Sequence, residues 1–109
     1  MELSDYQRVS RATAVYPDAG ANLLYPTLGL CGEAGEVAEK VKKMLRDDAG
    51  LLTEERRAAL GAELGDVLWY VAQVATEAGL DLDALAAGNL EKLRSRAGRG
   101  VLSGDGDER

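Results

Sequence analysis

Between Leu23 and Arg46, and again between Thr53 and Ala78, apolar residues recur at intervals of three and four. The first run is Leu30, Ala34, Val37, Val41 and Met44; the second is Leu60, Leu64, Val67, Val71 and Val74. At about 100° of rotation per residue, such positions stack on one side of a helix. No strand-like alternation of useful length occurs, so the expected fold is all-α, a helical bundle of about four helices. Ser4 and Gln7 make a capping-box pattern ahead of a first helix over residues 5 to 16, which Pro17 and "DAGAN" end. Pro26 is tolerated in the first turn of the second helix, and "DDAG" stops that helix. Thr53 caps the third helix, Gly79 closes it, and Asp81 caps a fourth that runs from Leu82 to about Arg96. The following "AGRGVLSGDGDER" reads as an extended tail, so a domain is placed at residues 1–98 and a Gly-rich charged tail at 99–109.

The 109 residues suffice for one domain, but the apolar ones are mostly Ala, Leu and Val, with no Phe and one Trp. A lone chain would have few large core side chains, and a homodimer is the expected way to complete a four-helix core. A net charge of −6 argues against a polymeric nucleic acid partner, which selects for a basic face. Cys31 is alone, which rules out an internal disulfide, and it reads as a small buried hydrophobe. No apolar run resembles a signal peptide or a membrane span, so the expected location is cytoplasmic.

The acids then carry the chemistry. In "LGLCGEAGEVAEK", residues 28 to 40, Glu33, Glu36 and Glu39 alternate with Gly29, Gly32 and Gly35 at three-residue spacing. Each helix-interior glycine costs about 1 kcal/mol relative to Ala, which is offset where a backbone or ligand must come close. Glu33 lies at the border of the apolar stripe, with Glu36 and Glu39 progressively further round. In the third helix Glu63, Asp66, Tyr70 and Glu77 line one edge beside the stripe, and Trp69 falls away from that edge, as for a packing or interface contact. Gly61 and Gly65 read as small positions for close helix contact.

If the two seams pack antiparallel, Glu33, Glu36, Glu63 and Asp66 converge, and like charges that close call for a cation. With no histidine in the chain, His-ligated zinc and Glu-x-x-His di-iron sites are excluded, leaving an oxygen-only site suited to Mg²⁺ or Mn²⁺. Such a site fits metal-assisted hydrolysis of a phosphate substrate, with Glu36 or Glu39 as the base that accepts a proton from water and Lys92 and Arg96 as phosphate ligands. The competing reading makes the acids a solvated face held by i,i+4 pairs, Glu36 with Lys40 and Glu39 with Lys43. For Lys92 and Arg96 it is a basic last turn favoured by the helix dipole.

"GEAGEVAEKVKK" followed by "ELGDVLWYVAQVA" resembles the paired Glu-x-x-Glu and Glu-x-x-Asp signature of the MazG-like all-α nucleoside triphosphate pyrophosphohydrolases. "YPTLGL", "NLEKLRSR" and the Gly-rich Asp-Arg ending extend the likeness over most of the chain. The resemblance implies Glu33, Glu36, Glu63 and Asp66 as Mg²⁺ ligands, Tyr70 near the nucleotide, and Lys92 and Arg96 as the basic positions of the last helix. It also implies dimers or dimers of dimers. Two departures stand out: Gly32 occupies a place where some members carry a further glutamate, and "GDGDER" is more acidic than the usual ending. Three functions remain open at this level: a Mg²⁺-dependent nucleoside triphosphate pyrophosphohydrolase, a phosphoribosyl-ATP pyrophosphohydrolase, and a non-catalytic helical interaction module.

Overall fold

The computed structural model describes residues 1–109 and is all-helical. Its elements are α1 (Leu3–Ser10), a 3₁₀ turn (Arg11–Thr13), α2 (Leu24–Asp47), α3 (Glu54–Glu77) and α4 (Leu82–Arg99). None of the helices is long and apolar enough to cross a membrane.

The helix ends follow local chemistry. Thr53 Oγ1 accepts from the Arg56 amide at 3.1 Å, and Asp81 accepts from the Ala84 amide at 3.0 Å, as the two N-caps require. Gly79 takes a left-handed φ of 71°, which lets the Leu80 amide turn back to the Ala75 carbonyl at 2.8 Å. The first helix is shorter than its expected span. Ser10 and Thr13 turn their hydroxyls back onto the Gln7 and Ser10 carbonyls, and the chain tightens to 3₁₀ geometry before it leaves helix altogether. Its cap also differs, because Asp5 accepts from the Glu2 amide at 3.3 Å while the expected pair is used elsewhere. Ser4 donates to Asp81 at 2.8 Å, and Gln7 bridges Thr76, Leu80 and Leu82.

Helices α2 and α3 form an antiparallel hairpin. Near the turn, Met44 shares a small cleft with Leu60; further along Lys40 faces Glu63 at 3.8 Å, and further still Gly29 lies under the Tyr70 ring. Helix α1 runs antiparallel along the far half of α3, pairing Gln7 with Thr76, Ser10 with Gln73 and Thr13 with Trp69. Helix α4 leaves at Asp81 and packs against α1. At the seam between α1 and α3, Gln73 is fully buried and bonded to Ser10 and Arg11. Glu77 has a side chain only 1% exposed, accepts from the Gly20 amide and the Tyr16 hydroxyl, and is ion-paired with Arg11 at 3.5 Å. It therefore secures the connection into α2, although its helical phase places it on the acid edge.

Only eight residues are buried, five of them apolar, so the hairpin is covered on one side alone. Leu28, Leu45, Leu64 and Leu68 are exposed, and so is Cys31, against its expected burial. Gly61 and Gly65 meet no neighbouring atom within 4 Å, so the close helix contact expected of them is not made within the chain. The C-terminal segment, expected to extend, folds back instead. Gly100 caps α4 with a φ of 73°, and Arg109 then donates to the carbonyls of Val101, Leu102 and Gly106.

Candidate metal centre

The antiparallel register of α2 and α3 brings Glu33 opposite Glu63 and Asp66. One carboxylate oxygen from each lies within 4.8 Å of the others, close enough for a single ion to touch all three. Burial, a hydrogen bond with Glu63, and the charges of Asp66, Glu63 and Glu36 together push the Glu33 carboxyl above the usual glutamate value. A cluster that resists full ionisation gains when a cation enters, and its donors are all hard oxygens. The residues present therefore fit Mg²⁺ or Mn²⁺.

Glu36 is exposed one turn beyond Glu33, outside the converging trio but close enough for its charge to reach Glu33. Glu39 is bonded to Lys42 at 2.8 Å, and that contact draws its carboxyl below the usual range. Tyr70 stands beside Glu33 and Asp66 in an open cavity of about 330 Å³. It is there because Gly29 has no side chain: a methyl group at that position would overlap the Tyr70 ring. This is the close approach for which the helix tolerates a glycine.

Trp69 lines the same cavity, together with Thr13, which corrects the expectation that it turns away. Three residues after Asp66 is a step of about −60°, so Trp69 sits on the ridge beside Asp66 even though it points away from Glu63. Measuring phase from Asp66 would have revealed this. Thr13 carried no such signal, since its place depends on how α1 crosses α3.

Lys92 and Arg96 are not among the residues lining that cavity. Both grip Asp107, at 2.9 and 3.0 Å, and Arg96 also donates to the Asp107 carbonyl. The Arg96 side chain is only 6% exposed, and the pair of cations holds the Asp107 carboxyl below its usual range. A larger cavity of about 410 Å³ lies by the α2–α3 turn, but its Arg56 and Asp48 are paired to each other at 2.6 Å.

The structure thus gives an all-helical hairpin with a carboxylate trio at its seam, and comparison with known families shows the class it belongs to. Residues 24–100 match the model of the MazG nucleotide pyrophosphohydrolase domain, so the chain belongs to the MazG nucleotide pyrophosphohydrolase family. That span runs from the first residue of α2 to the cap of α4, and it leaves out α1 and its 3₁₀ turn. The chain is also 51% identical to the Gene 37 protein of Mycobacterium phage L5 over 114 aligned positions that cover both chains fully. No solved structure matches.

Proposed function

We propose that the protein is a Mg²⁺-dependent nucleoside triphosphate pyrophosphohydrolase that converts a ribo- or deoxyribonucleoside triphosphate and water to the monophosphate and pyrophosphate. The carrying observation is the convergence of Glu33, Glu63 and Asp66 within 4.8 Å. These three hold the ion, with Glu36 as the fourth carboxylate of the set. When bound, Mg²⁺ supplies positive charge for the triphosphate and makes water more acidic. Glu36 accepts the proton from the attacking water; it carries no ion pair, whereas Glu39 is occupied by Lys42 and is the weaker candidate. Tyr70 bounds the nucleotide. Lys92 and Arg96 bind the outer phosphates, with the Asp107 carboxylate as the group that a phosphate oxygen replaces. The reaction clears cytoplasmic nucleotide pools.

The active form is a homo-oligomer, a dimer or a dimer of dimers. The chain exposes 7271 Å², whereas a compact monomer of its mass exposes about 5,800 Å². The excess, roughly 1,400 Å², falls within the per-subunit share of an obligate homodimer interface. Leu28, Leu45, Leu64 and Leu68 supply an apolar face for it, and Gly61 and Gly65 leave room for a close partner.

The test is a screen of canonical and modified nucleoside triphosphates, with phosphoribosyl-ATP among them, in Mg²⁺ or Mn²⁺. Equal amounts of monophosphate and pyrophosphate, abolished by chelator, are the expected products. Release of nucleoside diphosphate with inorganic phosphate would identify a different reaction.

A further inference from the structure

The cavity beside the acid trio has one aromatic wall that the chemistry of phosphate and metal does not use. Trp69 is half-buried and lines it with Thr13 and Tyr70, next to Glu33 and Asp66. Two contacts fix the indole. Its Nε1–H donates to Thr13 Oγ1 at 2.9 Å, and the Tyr70 ring packs edge-on at 5.0 Å and 87°. Thr13 is itself held, because its hydroxyl donates to the Ser10 carbonyl at 2.9 Å. Arg11 anchors the same 3₁₀ turn to Gln73 on α3.

The position of this wall matters for the reaction. Cleavage at the α-phosphorus puts the ribose and base on the near side of the reacting atom and the other two phosphates on the far side. Lys92 and Arg96, the cations assigned to the outer phosphates, do not line this cavity, which leaves its flat aromatic surface beside the acids to the nucleoside. We propose, resting on the pyrophosphohydrolase reading, that Trp69 is the surface on which the substrate's nucleobase stacks, and that Thr13 positions it. Because the indole N–H is already given to Thr13, Trp69 presents a π-face and no hydrogen-bond donor to the base. Every base has a π-face, so this wall holds purine and pyrimidine nucleotides alike and selects nucleotides over bare polyphosphates.

Trp69 is the only tryptophan, so its emission reports the contact directly. In the full-length protein with Mg²⁺, a nucleotide with a non-hydrolysable α,β-methylene bridge should quench that emission, and inorganic tripolyphosphate should leave it unchanged. In steady-state kinetics W69A should raise KM about tenfold, equivalent to about 1.4 kcal/mol and within the range of base–aromatic stacking. The rise should be similar for adenine and cytosine nucleotides, with a far smaller effect on kcat. W69F, which keeps a ring, should raise KM less. T13V should shift the Trp69 emission and raise KM part of the way, and T13S, which retains the hydroxyl, should restore both. Equal emission changes with tripolyphosphate and nucleotide, or W69A and W69F both lowering kcat at unchanged KM, would overturn the stacking role. Quenching by the nucleotide without any pyrophosphate release from hydrolysable substrates would instead sink the proposed reaction and leave the stacking surface standing.

Discussion

Asp66 faces Glu33 across the helix seam and has Glu63 one turn before it on α3, so it serves ion binding better than stability. Asp66→Asn should abolish pyrophosphate release and leave the circular dichroism spectrum intact. In chelator its melting temperature should equal or exceed that of the wild type, because one repulsive charge is gone. Adding Mg²⁺ should raise the wild-type value and leave the variant unmoved, since a ligand stabilises only the state that binds it. Near wild-type turnover of the variant at saturating Mg²⁺ would remove Asp66 from the ligand set. Glu77 is the opposite kind of acid. The Gly20 amide above all, with the Tyr16 hydroxyl and Arg11, holds its carboxyl below the usual value of 4.5. A lowered folded-state value means the stabilisation is complete above the unfolded value and lost as pH falls through the folded one. Thermal melts should therefore show wild-type stability dropping below about pH 4.5, with Glu77→Gln less stable at neutral pH and flatter across that window. Parallel curves for the two proteins would contradict this linkage.

The α2–α3 hairpin is one element in which a backbone vacancy on one helix admits a ring from the other. Gly29→Ala should displace the Tyr70 ring from the cavity and cost about 1–3 kcal/mol, as overpacking of a filled contact does. Gly32→Ala is the matched control on the same helix: nothing lies within 4 Å of that position in the chain, and alanine is the better helix former. Denaturant melts and pyrophosphate assays on both variants check the contrast. If Gly29→Ala matched the wild type in both, the close approach would have no functional weight. The second such junction is the α1–α3 seam, whose polar bonds carry the 3₁₀ turn and Thr13 to the site.

At the scale of the whole molecule, the radius of gyration of 16.8 Å exceeds the roughly 13 Å of a compact domain of this length. The hairpin projects because one side has nothing to bury against. Sedimentation equilibrium at low micromolar concentration should give a dimer or tetramer mass. Leu64→Glu with Leu68→Glu, which puts charge on the uncovered face, should yield monomer of much reduced stability and activity. A compact, active wild-type monomer under those conditions would refute obligate association.

The four helices, the caps at Thr53 and Asp81, the stop at Gly79 and the placing of Glu33, Glu63 and Asp66 beside their seams were all legible in the chain itself. Period and capping depend on neighbours within about four residues, so α2, α3 and α4 state them locally, whereas the cap expected of Ser4 and Gln7 in α1 gave way to their tertiary partners. Which side chains meet across helices is different, because it depends on register and crossing, and these are set only when whole elements pack. Tertiary structure alone therefore drew Trp69 and Thr13 into the cavity and joined Glu33 to Glu63 and Asp66 while Glu36 stayed exposed. It also took Glu77 out of the acid edge to tie down Gly20, and folded Asp107 onto Lys92 and Arg96. Helical phase supplies a direction for each side chain; the distance between two of them on different helices belongs to the packing.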